Sequence, residues 1–364
     1  MIERAMITGS LPSANDYFGI ASSISNNGLV LAVGAYLWSG AVSNQGAVYI
    51  FDWDGAAWVE RGKVTASDAG SNDRFGTAVG ISGDGSVLAV GATFWDGTFT
   101  DQGAVYIFDW NGSSWVERSI LTASDEAASD RFGTSCSLSA DGKTLATGAF
   151  LWDGIAANQG AVYILDWNGS AWVERSIITA ADYAANDYFG SSCSLSSNGG
   201  VLSVGSYLWE GPTSNQGVVY IYDWFEGAWV ERGQVTASDP ASGDRFGIGS
   251  SISGDGSVLA VGATFWEGTF ADQGAVYIFD WNGSSWVERV ILTASDAGAG
   301  DSFGSACSLS DDGHVVIIGA FLWDGAAANQ GAVYMFDSSL RQLPKIRLHE
   351  IALKNVLLEK SSII

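Results

Sequence analysis

Six tryptophans, Trp38, Trp95, Trp152, Trp209, Trp266 and Trp323, stand at one constant interval with no insertion between them. An indole face stacks on the C–H face of a sugar ring or on another aromatic, while neighbouring amides and carboxylates bond hydroxyls. The amides recur on the same interval as Gln45, Gln102, Gln159, Gln216, Gln273 and Gln330. Acids follow five of the tryptophans directly, as Asp96, Asp153, Glu210, Glu267 and Asp324, with Ser39 breaking the series. Six equivalent sites would hold a repeated ligand with avidity even where each is weak. The competing reading wedges each Trp between neighbouring sheets, with no ligand at all.

A second set is acidic. Asp16, Asp73, Asp130, Asp187, Asp244 and Asp301 each stand two residues before a Phe in all six copies. Two readings stay open: these carboxylates cap backbone N–H groups in a turn, or they share a calcium ion. The calcium set would be Asp125 and Asp130 with Asp153 or Asp96 from a loop, and Asp182 with Asp187 one repeat later. No cofactor is required on the first reading. Paired carboxylates also serve glycoside hydrolysis. An active site, however, needs one asymmetric place with shifted pKa values, and these acids are spread over six near-identical copies. His314 and His349 have no repeated carboxylate partner. The expectation is a non-enzymatic binding or adhesion module, lectin-like if the tryptophans are platforms. A structural or protein-binding scaffold is the alternative, and a glycan-processing enzyme the third reading.

The elements that must carry these groups follow from the same ruler. Phe-Gly recurs at Phe18, Phe75, Phe132, Phe189, Phe246 and Phe303, and a coarser interval, three times as long, repeats Tyr36-Leu37-Trp38 as Tyr207-Leu208-Trp209. One repeat reads as four strands. Phe75–Ile81 and the continuous apolar Val87–Ala92 join through Ser82-Gly83-Asp84-Gly85, an Asp-Gly turn. Ala104–Trp110 and Ser114–Leu121 then flank Asn111-Gly112, the strongest short hairpin signal. No segment sustains a helical period. Four antiparallel strands repeated radially protect their own edges, so the fold expected is all-β, a six-bladed β-propeller of 57-residue repeats over 1–337. Its sixth copy keeps three strands and loses the pattern after Asp337; Ile2-Glu3-Arg4 aligns with Val59-Glu60-Arg61. Residues 2–8 are therefore expected to complete blade six and close the ring. The loops between second and third strands, with the links between blades, then share one face.

Residues 338–364 are different material. They hold five of the 16 basic residues (Arg341, Lys345, Arg347, Lys354, Lys360) and two of the 40 acidic ones, so the repeats alone carry −27 against −24 for the chain. Docking of this basic tail on the acidic body, or on a partner, is one expectation. The chain's negative charge repels phosphate backbones, which excludes general nucleic-acid binding. No apolar run reaches the roughly 18 residues of a membrane span, and the N-terminal stretch 1–10 shows no signal-peptide core. Cys136, Cys193 and Cys307 share one position in three repeats and read as buried thiols, equivalent positions in adjacent blades lying too far apart for a disulfide. The pairs around each Asn-Gly turn, such as Trp110 and Trp115, read as packing of the outer edge. Asn111-Gly112-Ser113, Asn168-Gly169-Ser170 and Asn282-Gly283-Ser284 fit the N-glycosylation pattern as well as a turn.

Phe-Gly opening each repeat, Gly-Ala after the second strand (Gly91-Ala92, Gly148-Ala149, Gly262-Ala263) and Gly-Ala-Val-Tyr opening the third resemble FG-GAP repeats. These are the units of the integrin α-subunit propeller and of many bacterial and protist surface proteins. Leu121-Thr122-Ala123-Ser124-Asp125 is similar to the non-integrin branch. The resemblance spans residues 2–337 and implies a propeller used for adhesion or ligand binding, outside the cell or on its surface; the thiols and the missing leader point inside, so location stays undetermined. Two departures stand out. Family members commonly have seven sheets, and six copies are counted here. Integrin repeats often carry a calcium loop in the first turn, where this chain has Asp84, Asp141 or Asp255 alone, Asn27 or Asn198, and only Asp311-Asp312 doubled, short of the 6–8 oxygens that calcium takes.

Overall fold

The computed structural model describes residues 2–8, 15–325 and 328–338, with side chains from residue 6 onward. The basic tail, beyond Ser338, lies outside the described residues. Twenty-four strands form six antiparallel four-stranded sheets, and no helix occurs among the described residues. Blade two, Phe75–Ile81, Val87–Ala92, Ala104–Trp110 and Trp115–Leu121, is representative. The sequence reading placed its last strand one residue early, because Ser114 belongs to the hairpin turn that ends in the Trp110↔Trp115 pair.

Alternation decides which strands are buried. Val87–Ala92 and its five equivalents are buried on both faces because each sheet is covered on both sides by neighbouring blades, with Thr147, Ser203 and Ser206 the buried polar residues among them. The outer strands carry a Val-Glu-Arg segment and are half-exposed. The apolar core is divided into six clusters, each filled from two adjacent blades. In the wedge between blades one and two, Phe75 packs edge-on to Tyr106 and Phe108, with ring centroids 5.4 and 5.9 Å apart. The cluster between blades six and one is built alike, from Phe18, Tyr49, Ile317, Val333 and Ile7, so the ring returns to its start. Ile2–Ile7 pairs antiparallel with Ala332–Asp337 and supplies the fourth strand of blade six, as the sequence implied.

Blades are stitched to each other around the axis. Ser23 Oγ accepts from the amide of Ile81 in the next blade, and Ser137, Ser194, Ser251 and Ser308 repeat this bond at 2.9–3.1 Å. At the end of the axis formed by the first turns, amide N–H groups bond round the ring, from Asn26 to Gly83 O, Gly83 to Ala140 O, Ala140 to Ser197 O, Ser197 to Gly254 O and Gly254 to Asp311 O. Asn26 Nδ2 also donates to Ser197 Oγ across the axis and to Asp311 Oδ1 of the adjacent blade six, at 2.7 and 2.9 Å. The first turns are thereby tied to one another. The three cysteines are free and buried in the inner strands, and burial pushes each thiol up, away from reactive thiolate.

Candidate ligand-binding face

The loops between second and third strands lie at the opposite end of the axis. In each, the chain turns back under the tryptophan: Trp95 N donates to Ala92 O, and Gly103 N to Trp95 O. The indole then lies on a loop glycine. A Cβ at Gly40, Gly97, Gly154, Gly211, Gly268 or Gly325 would come within 2.2–2.3 Å of the ring. All six tryptophans are half-buried and pack on the wedge cores. Three donate their indole N–H, Trp95 to Asp68, Trp152 to Asp125 and Trp266 to Asp239. The face of Trp38 is covered by the Lys63 ammonium, 3.6 Å from its centroid.

The glutamines are buried. Gln45, Gln102, Gln159, Gln216 and Gln273 each accept, through Oε1, the amide three residues upstream, at 2.6–2.9 Å. They fix the loop from below.

The acidic set is likewise spent inside the fold. Asp125 accepts Tyr163 Oη at 2.7 Å as well as the Trp152 indole, and Asp182 accepts Tyr220 Oη and Gln234 Nε2. Asp73, Asp130, Asp187, Asp244 and Asp301 each accept the amide three residues before them, at 2.6–3.0 Å, which is the capping arrangement. Asp96 and Asp153 accept amides within their own loops. Among the described residues no three His, Cys, Asp or Glu side chains are grouped to hold a metal ion. The first turns are occupied too, Asp84 Oδ1 accepting from both Ser82 and Ser86. The Asn111 carboxamide similarly accepts the amides of Ser113 and Ser114, so the sequon is a formed turn.

These caps carry a pH signature. Burial raises the carboxyls of Asp73, Asp187, Asp244 and Asp301, against the lowering effect of their amide bonds; Asp130, with Asp125 and Asp153 nearby, is pushed up to about 6. A carboxyl held above its unfolded value binds its proton more tightly when folded. Its stabilisation is complete below the unfolded pKa and is lost as pH rises through the folded one. Asp84, Asp255 and Asp312 run the other way: burial raises them, but serine and amide hydrogen bonds lower them more, and their contribution fades only under stronger acid. The melting temperature is expected to rise when pH is lowered from about 7.5 to about 5, which a thermal melt followed by circular dichroism checks.

What the loop face presents round the axis is a different set of residues. The residue between each capping Asp and its Phe-Gly is Tyr17, Arg74, Arg131, Tyr188, Arg245 or Ser302, and every one has a positive φ of 57–62°. Non-glycine residues avoid that region at a cost of about 1–2 kcal/mol each. Their side chains interleave with the aromatics that precede the tryptophans. One arc runs from Phe321 through Tyr17, Tyr36, Arg74 and Phe94 to Arg131, with ring-centroid or guanidinium separations of 3.5–5.6 Å. The other runs from Phe150 through Tyr188, Tyr207 and Arg245 to Phe265, at 4.2–5.7 Å. Each arc member recurs three repeats on, except that Arg131 meets Ser302. The face is thus pseudo-twofold and broken at one place. Sequence reasoning passed over this set because Asp-X-Phe-Gly drew attention to its constant members; X, the changing position between them, was the signal.

A family model described as FG-GAP repeat matches residues 2–51, 58–108, 115–165, 172–222, 229–279 and 286–336. The chain belongs to the FG-GAP repeat family. Each matched unit starts on the outer strand of one blade and ends on the third strand of the next. Six such units consequently make six blades only if the first strand joins the last sheet. The FG-GAP propeller is typically non-enzymatic and fits an interaction module. No curated protein matches the chain.

Proposed function

We propose that this FG-GAP propeller is a non-enzymatic binding module that engages a protein or peptide through the double arc on its loop face. The observation that supports the reading is the pair of Tyr, Phe and Arg arcs round the axis, carried by the residues before Phe-Gly. Tyr and Arg are among the residues that dominate interface energetics, and Phe is enriched in interfaces; here they are half-buried around the axis. Carbohydrate binding at Trp38, Trp95 and their equivalents is less well supported on this face, since the rings lie on their own loops and the glutamines below them are buried.

Random peptides displayed on phage and panned on the intact protein test the proposal. Most selected clones are expected to lose about tenfold or more in affinity on Arg74→Ala or Tyr188→Ala and to be indifferent to Val230→Lys on the exposed outer edge. Absence of enriched clones, or clones that ignore both ring variants, would contradict it.

A further inference from the structure

Between neighbouring blades the outer strand of one and the Trp-Trp hairpin of the next enclose a cleft at the rim. The largest of the three described, about 550 Å³, lies between blades three and four, within the range of small-molecule sites. Its wall is the pair Trp224 and Trp229, with ring centroids 5.4 Å apart and tilted by 60°. Three polar atoms of residues that line it, Ser176 Oγ, Tyr222 Oη and Trp229 Nε1, are buried and have no hydrogen-bond partner among the described residues. Tyr222 as a whole is 5% exposed. A buried polar atom left unpaired costs about 1–3 kcal/mol, so three around one cleft point to something that enters it.

The other clefts show that the full set occurs in one place. The cleft between blades one and two has Gly62 and Phe108 at the places of Ser176 and Tyr222, and that between blades four and five has Gly233 and Phe279. Both keep the indole, Trp115 or Trp286, whose Nε1 is likewise unpaired. Between blades two and three Ser119 keeps an unpaired serine hydroxyl, but Leu165 stands at the place of Tyr222, so the combination of both hydroxyls is what blades three and four add.

The chemistry narrows the ligand. The indole only donates, whereas the two hydroxyls donate and accept, so the ligand must offer acceptors and donors side by side. The indole wall asks for an apolar C–H surface next to them. Arg175 lines the cleft, but its guanidinium stacks on Trp224 at 4.9 Å and is already bonded to Asp166 through two nitrogens. Its charge is matched within the blade, and a chain of net charge −24 repels anions. Glu231, on the exposed lip, accepts further hydroxyls. We infer that the cleft between blades three and four is a binding site for one neutral saccharide ring per chain, held by Ser176, Tyr222 and Trp229. This site lies on the rim and is independent of the loop-face reading.

The test is ligand-observed NMR with methyl glycosides of glucose, galactose, mannose, N-acetylglucosamine and fucose on the intact protein, at up to about 50 mM. At least one glycoside is expected to bind with one site per chain. Tyr222→Phe and Ser176→Gly, each the residue a neighbouring blade carries and so compatible with the fold, should weaken it about fivefold to tenfold singly and abolish it together. No binding of any of the five, or binding that the double variant leaves unchanged, would overturn the assignment; unpaired atoms met by water alone would give that first result. Arg74→Ala is expected to leave glycoside binding unaltered, so the two proposals fail separately.

Discussion

Removal of residues 1–8 is expected to lower the melting temperature by at least about 10 °C and to drive the protein toward association. Ile2–Ile7 pairs antiparallel with residues 333–337, and Ile7 is buried in the cluster between blades six and one. Deleting it strips about five ladder bonds at roughly 1 kcal/mol each, and burial of the isoleucine adds about 2 kcal/mol. That sum rivals the roughly 5–15 kcal/mol of a typical folded domain. The strand Ala332–Asp337 would become an open edge, a template for pairing with another chain. Thermal denaturation and size-exclusion chromatography read both effects. A synthetic peptide of the deleted residues, added in trans, should restore the melt. An unchanged melting temperature would mean that the strand contributes nothing to closure.

The second large effect separates conformational strain from lack of space. Gly160 (φ +83°) and Gly169 (φ +98°) both lie in the left-handed region, where an alanine costs about 1–3 kcal/mol. Around Gly169 nothing lies within 4 Å of an added Cβ; at Gly160 it would fall 2.0 Å from Phe189 O and 2.7 Å from Phe189 N. Those atoms belong to the seam between blades three and four, where Phe189 N donates to Gln159 O. A methyl there has only backbone to push against, so the whole of blade four must move. Gly160→Ala is expected to cost at least about 4 kcal/mol more than Gly169→Ala and to melt at least about 8 °C below it. Variants that melt together would show that the seam yields.

The architecture was legible because one chain carries six copies of its own pattern. Phe-Gly, Asn-Gly and the apolar run at Val87–Ala92 each have a local physical cause, and identical spacing fixed how they repeat. Ring closure was legible for the same reason, since residues 2–4 match an outer strand that blade six lacks. The site was harder to read. Trp95, Gln102 and Asp125 are conspicuous in sequence, but conspicuous regularity is what a repeated scaffold also produces; their hydrogen bonds run to Asp68, to the Phe99 amide and to Tyr163. The double arc depends on φ at Arg74 and its equivalents, which no residue type announces. In blade two its aromatic, Phe94, is shifted one position from Tyr36 in blade one, which hides it from a fixed interval. The rim cleft depends on which polar atoms remain unpaired, a property of packing that spacing does not contain.

The account rests on six sheets closed into a ring that presents one end of its axis. Amide hydrogen exchange of the intact chain, followed by mass spectrometry, addresses this most directly. Protection across residues 2–7 equal to that of Ala332–Asp337 is the predicted result. Exchange of residues 2–7 at the rate of an unpaired chain would contradict it.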